Sequence, residues 1–125
     1  MKRFLVCLSV IGIVITSCSK SNELTESGNS NTGGTGCDTV NIKYTTDVKT
    51  IIQANCYSCH GNGQAQGGVN LDTYSSVKQH ADNGSLIGVI THAAGYPPMP
   101  QGAAKLSDCD INKIKAWIAR GTLNN

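Results

Sequence analysis

Apolar positions fall into three regimes along the chain. From Phe4 to Ile15 they form a run broken only by Ser9 and Gly12, from Ser19 to Gly36 they nearly vanish, and from Thr46 onward they recur at helical spacing. Between Thr46 and Asn55, Val48, Ile51 and Ile52 stand at i, i+3 and i+4, which predicts a short helix with one buried face. The glycine-rich stretch Gly61 to Asn70 predicts a loop. Short helices are predicted over Thr73 to Ala81, behind Asp72, and from Ser85 to His92, ending before Gly95. Tyr96-Pro97-Pro98-Met99-Pro100-Gln101-Gly102 must be extended, because proline fixes its own φ and biases its predecessor away from the helical region. Ser107-Asp108-Cys109-Asp110 resembles a capping box with Asp in place of Glu. The last helix follows it, with Ile111, Ile114 and Ile118 as its stripe, Trp117 beside them, and Arg120 and Gly121 at its end. No stretch carries a convincing strand pattern, so the expected fold is all-α.

The first two regimes lie outside that fold. Met1-Lys2-Arg3 gives a positive start, and the apolar run behind it is shorter than the roughly 20 residues of a membrane-spanning helix, so it reads as a secretory signal. Ile15-Thr16-Ser17-Cys18 resembles a bacterial lipobox, which makes 1–17 a lipoprotein signal peptide and Cys18 the lipidated residue. In Ser19 to Gly36, fourteen of eighteen residues are Ser, Asn, Thr or Gly, too polar to offset their ordering entropy. Such a coil spans about 20 to 25 Å on average. The expected organisation is therefore a signal peptide (1–17), a lipidated Cys18 with a flexible linker (18–36) and one folded domain (37–125). By resemblance, Ser19 behind the lipidated cysteine favours the outer membrane. The expected location is the cell envelope, lipid-anchored and facing the periplasm.

Charge follows the same division. The chain has ten Lys and Arg against eight Asp and Glu, and removing Lys2 and Arg3 leaves eight of each. With no basic patch or stripe, nucleic acid is excluded as a partner.

The folded part is short of large apolar side chains. Its aromatics are Tyr44, Tyr57, Tyr74, Tyr96 and Trp117, and a domain this small buries a modest share of its surface. A staple or a cofactor is expected to supplement the core. Of the six cysteines, Cys7 leaves with the signal, Cys18 carries lipid, and Cys56 and Cys59 work together. Cys37 and Cys109 remain, as a disulfide in an oxidising compartment or as two separate buried thiols.

Asn55 to Gly61 reads NCYSCHG, and three chemistries compete for it. A redox disulfide between Cys56 and Cys59 would sit in a βαβ surrounding, whereas the flanks here are helical. Zinc needs four ligands, and Cys37, His80, His92 and Cys109 are scattered singly. Covalent haem attachment is the reading of C-x-x-C-H: two thiols form thioethers, His60 reaches the iron, and Gly61 leaves space beside the porphyrin. Met99, held between prolines outside any apolar stripe, is the candidate second ligand. A methionine opposite a histidine raises the reduction potential. His92 or a vacant position are the alternatives; His80 reads as a solvated helical residue.

These features together resemble class I cytochrome c: CxxCH behind a helix, a glycine-rich loop, an isolated methionine and an amphipathic last helix. GGVNLDTY (Gly67 to Tyr74) and PPMP are similar to the small haem domains of bacterial lipoproteins. The resemblance spans about Val40 to Leu123 and implies a cytochrome c-like fold, about four short helices around one covalent haem c. It implies Cys56 and Cys59 as attachments, His60 and Met99 as axial ligands, and the first and last helices packed near the haem edge. Leu71, Val89, Ile90, Ile114 and Trp117 are the expected walls. The implied function is single-electron transfer between redox partner proteins, without catalysis. The competing classes are a haem enzyme or gas sensor with an open or displaceable site, and a haem-free lipoprotein.

Overall fold

The computed structural model describes residues 36–125, and the expected signal peptide, Cys18 and nearly all of the linker lie outside them. Five helices and no strand occur among the described residues: α1 (Lys49–Asn55), α2 (Tyr57–His60), α3 (Tyr74–Asp82), α4 (Ser85–Ile90) and α5 (Asp108–Ala119). The expected all-α fold is present, with one helix more than anticipated. The first predicted helix begins earlier, as a π-helical turn over Tyr44–Val48, and breaks at Cys56, whose φ of −124° is not helical. Thr73, not Asp72, caps α3, its hydroxyl accepting from the Ser76 N–H at 3.2 Å. At α5 the Ser107 hydroxyl accepts from the Asp110 N–H at 3.1 Å and donates to the Asp110 carboxylate at 2.8 Å. Asp is one methylene shorter than the Glu of a full capping box.

The core gathers where α5 crosses the π turn and α4. Val48, Ile52, Val77, Ile90, Ile114 and Trp117 are all but inaccessible to solvent. On α5 the buried face is Ile111, Ile114 and Trp117, and Ile118 is half-buried, because Trp117 must reach Tyr44, 5.6 Å away between ring centroids. Tyr44 also meets Tyr74 edge-on at 5.0 Å, a favoured aromatic geometry. Behind α5 the chain turns back: the Trp117 indole donates to Leu123 O at 2.8 Å and the Tyr74 hydroxyl to Thr122 O at 2.6 Å. Asn125 then accepts from the Tyr44 and Thr45 N–H groups, tying this end to the first turn. A disulfide joins Cys37 to Cys109 across 72 residues, with Cα atoms 5.3 Å apart.

Candidate functional site

Breaking the first helix at Cys56 gives the NCYSCHG segment its own turn. The Cys59 and His60 N–H groups both donate to Cys56 O, at 3.2 and 2.9 Å, so both thiols and the imidazole belong to one tight turn. Burial pushes the Cys56 thiol up to about 11. That is the reverse of a thiol-exchange cysteine, which works through a lowered pKa. His60 is oriented from outside the turn: its Nδ1 lies 3.1 Å from Val69 O. A carbonyl only accepts, so Nδ1 carries the proton and Nε2 keeps its lone pair for a metal. Leu71 N–H closes the same loop onto His60 O at 2.6 Å. The Asp72 carboxylate pins the loop's start, accepting from the Asn62 and Gly63 N–H groups at 2.6 and 2.9 Å and from the Asn70 amide at 2.9 Å. Gly61 serves a different end from the one expected. The Tyr57 ring packs where its Cβ would stand, so the missing side chain makes room for Tyr57.

Met99 approaches from the other side, on the proline loop behind α4. Its N–H donates to Val89 O at 3.0 Å. The His92 Nε2 donates to Met99 O at 3.1 Å, so the ring grips the loop from outside α4. His92 itself lies past the helix end with φ of +56°, a conformation uncommon for a residue with a side chain. In α4, Gly88 faces the ring of Tyr96, which takes the volume a Cβ would need.

Between these two supports lies a cleft in two lobes of about 400 and about 380 Å³. Cys56, His60, Ile90 and Met99 line both lobes, so the structure brings the predicted cysteine, histidine and methionine to one place; Cys59 lines the first lobe. Of the expected walls, Leu71, Val89 and Ile90 face the cleft, joined by Leu86 and Leu106. Ile114 and Trp117 are buried in the core without lining either lobe. His80 is half-buried, lines the second lobe and shares a hydrogen bond with the Ser85 hydroxyl at 3.0 Å. Sequence reading missed it because one polar residue on a short helix does not show which way it turns. Among the described residues no three His, Cys, Asp or Glu side chains form a metal cluster. Two thiols, an imidazole with a free Nε2 and a thioether, around an apolar cleft within the usual range of cofactor pockets, fit a haem better than a bare ion.

The family model described as cytochrome c oxidase, cbb3-type, subunit III matches residues 45–118. That span contains Cys56, Cys59, His60 and Met99 and leaves Cys37 outside. Neither a curated protein nor a solved structure matches the chain. With more than half of its length matched, the chain belongs to the family of cytochrome c oxidase, cbb3-type, subunit III, as an all-α c-type cytochrome domain.

Proposed function

We propose that the protein carries single electrons through one haem c, attached by thioethers to Cys56 and Cys59 and ligated by His60 and Met99. The observation that carries this reading is the His60 to Val69 hydrogen bond, because it leaves Nε2 unprotonated over a cleft shared with Met99. When bound, haem c supplies a one-electron iron couple. The chain's own part is to hold that group still. Val69 O sets the tautomer of His60, Val89 O and His92 grip the Met99 backbone, and Leu71, Leu86, Val89 and Ile90 keep water from the second lobe. With His60 and Met99 both holding the group, no position would remain for a substrate, and the protein would act as a carrier rather than an enzyme. Its partners are a donor and an acceptor redox protein.

The same proposal extends to the chain's first 36 residues. A signal peptide over 1–17 would direct export and be cleaved, and a lipid on Cys18 with a flexible linker to residue 36 would then hold the domain at the outer membrane, facing the periplasm. Tethering raises the effective concentration at a partner on the same surface without any new contact.

The test is an absorption spectrum, oxidised and reduced, of protein matured with haem-attachment machinery. Low-spin c-type bands that survive denaturation, with a methionine-to-ferric charge-transfer band that vanishes in Met99→Ala, are expected. Covalent haem without that band would replace Met99 as ligand and reopen catalysis or sensing. No haem would sink the reading.

A further inference from the structure

No Asp, Glu, Lys or Arg lines either lobe of the cleft. The cause is visible in the chain: Thr50 to Leu71 and Asn83 to Ala104 contain no residue of these four types. Those segments supply nearly all of the cleft, while the formal charges of the described residues fall in 38–49, 72–82 and 105–120. The rim carries none of these four residue types either. Of the lining residues, Gln66, Gly67, Tyr96, Pro97 and Gln101 are exposed, and the exposed segments they belong to, 62–68, 92–98 and 101–104, are mostly Gly, Ala, Gln and Pro. Tyr96 stands among them at 41% exposure.

Physical chemistry narrows what such a rim can meet. Charged faces speed encounter through long-range steering, and this rim has no Asp, Glu, Lys or Arg side chain to steer with. A partner that brought unpaired charges onto it would lose their hydration with nothing to replace it. Gly, Ala and Pro lose almost no side-chain freedom when covered, so short-range contact costs little entropy here.

We infer that the rim formed by 62–68 and 92–104 is the face through which electrons leave and enter, and that it fits a redox protein whose own docking face is uncharged. The inference rests on the haem reading proposed above.

Electron self-exchange between ferric and ferrous copies of the haem-loaded protein, followed by NMR line broadening, tests it. The second copy is a partner with an uncharged face of known composition. One electron passes from the ferrous copy, which is oxidised, to the ferric copy, which is reduced. Between about 0.01 and 1 M salt, where the Debye length falls from about 30 to about 3 Å, the rate should change less than about twofold. Gln66→Lys combined with Gln101→Lys places like charges face to face, and should slow exchange about tenfold at low salt, with recovery at high salt. Lys113→Gln with Lys115→Gln, on α5 and outside the cleft, should leave the rate unchanged. A steep salt dependence of the native protein, or a rate that follows the α5 pair and ignores the rim pair, would overturn the inference. Absorption spectra taken first separate the two failures. A chain without covalent haem sinks the carrier reading and this face together; a haem-loaded chain with steep salt dependence sinks the face alone.

Discussion

At the scale of single residues, the cleft depends on hydrogen bonds that orient groups, more than on the groups themselves. The His92 ring bonds the Met99 carbonyl, and together with Val89 it holds the backbone that presents the thioether. On the proposed ligation, His92→Ala should let added imidazole displace Met99 with an affinity raised by up to about tenfold, the equivalent of one lost hydrogen bond. His92→Gln, which keeps a donor, should restore it, and spectral titration with imidazole reads both. Asp72 sets a pH dependence. Its carboxyl is held below the ordinary 3.8 by the Gly63 N–H first, then by the Asn70 amide and the Asn62 N–H. A pKa depressed in the folded state contributes stability above the unfolded value and loses it as pH falls through the folded one. The native protein should therefore lose stability in urea below pH ~4, and Asp72→Asn should lose less over the same interval. Equal acid limbs in the two proteins would refute this.

At the scale of elements, α4 shows two effects in competition. Glycine inside a helix costs about 1 kcal/mol against alanine, so propensity alone makes Gly88→Ala stabilising. The Tyr96 ring occupies the place of that Cβ, and forcing an added group into a packed site costs about 1 to 3 kcal/mol. Packing should win. Gly88→Ala is expected to lower the denaturation midpoint, and Gly88→Ala with Tyr96→Ala to lose less than the sum of the single changes, as coupled neighbours do. α2 is an element of another kind, four residues long and without a buried side chain. Too short to form alone, it exists because the hydrogen bonds of Cys56, His60 and Leu71 bind it to α1 and to the glycine loop.

At the scale of the whole molecule, stability comes from closure as much as from the core. The Cys37–Cys109 bond spans 72 residues, and a loop of that size constrains the unfolded chain by about 4 kcal/mol on a chain-entropy model. Cys37→Ser with Cys109→Ser should lower unfolding free energy by that order, seen as a shifted urea midpoint with the haem spectrum unchanged. A second closure runs from the last residues to Tyr44, Thr45 and Tyr74. The cleft works in the opposite direction, as apolar surface that packs against nothing when the cofactor is absent. Apo protein should melt well below the haem-loaded protein in a calorimeter. Equal melting temperatures would show that the cofactor is not part of the core.

By itself the sequence determined what lies within a few residues. The C-x-x-C-H spacing, the helical periods around Ile51 and Ile114, the stiffness around Met99 and the absence of charge between Thr50 and Leu71 are properties of neighbours. Covalent geometry and the helical repeat fix such neighbours whatever the rest of the chain does. The family and the all-α fold were legible for that reason. Tertiary structure alone decided which distant groups meet. That Val69 holds His60, that His92 grips Met99, that His80 turns inward and that Trp117 displaces Ile118 from the α5 face all depend on the paths of loops. Gly61 and Gly88 were ambiguous for the same reason, since a missing side chain signals space without naming its occupant. Side-chain direction in a short helix is set by what packs against it, and that partner is chosen by the whole fold.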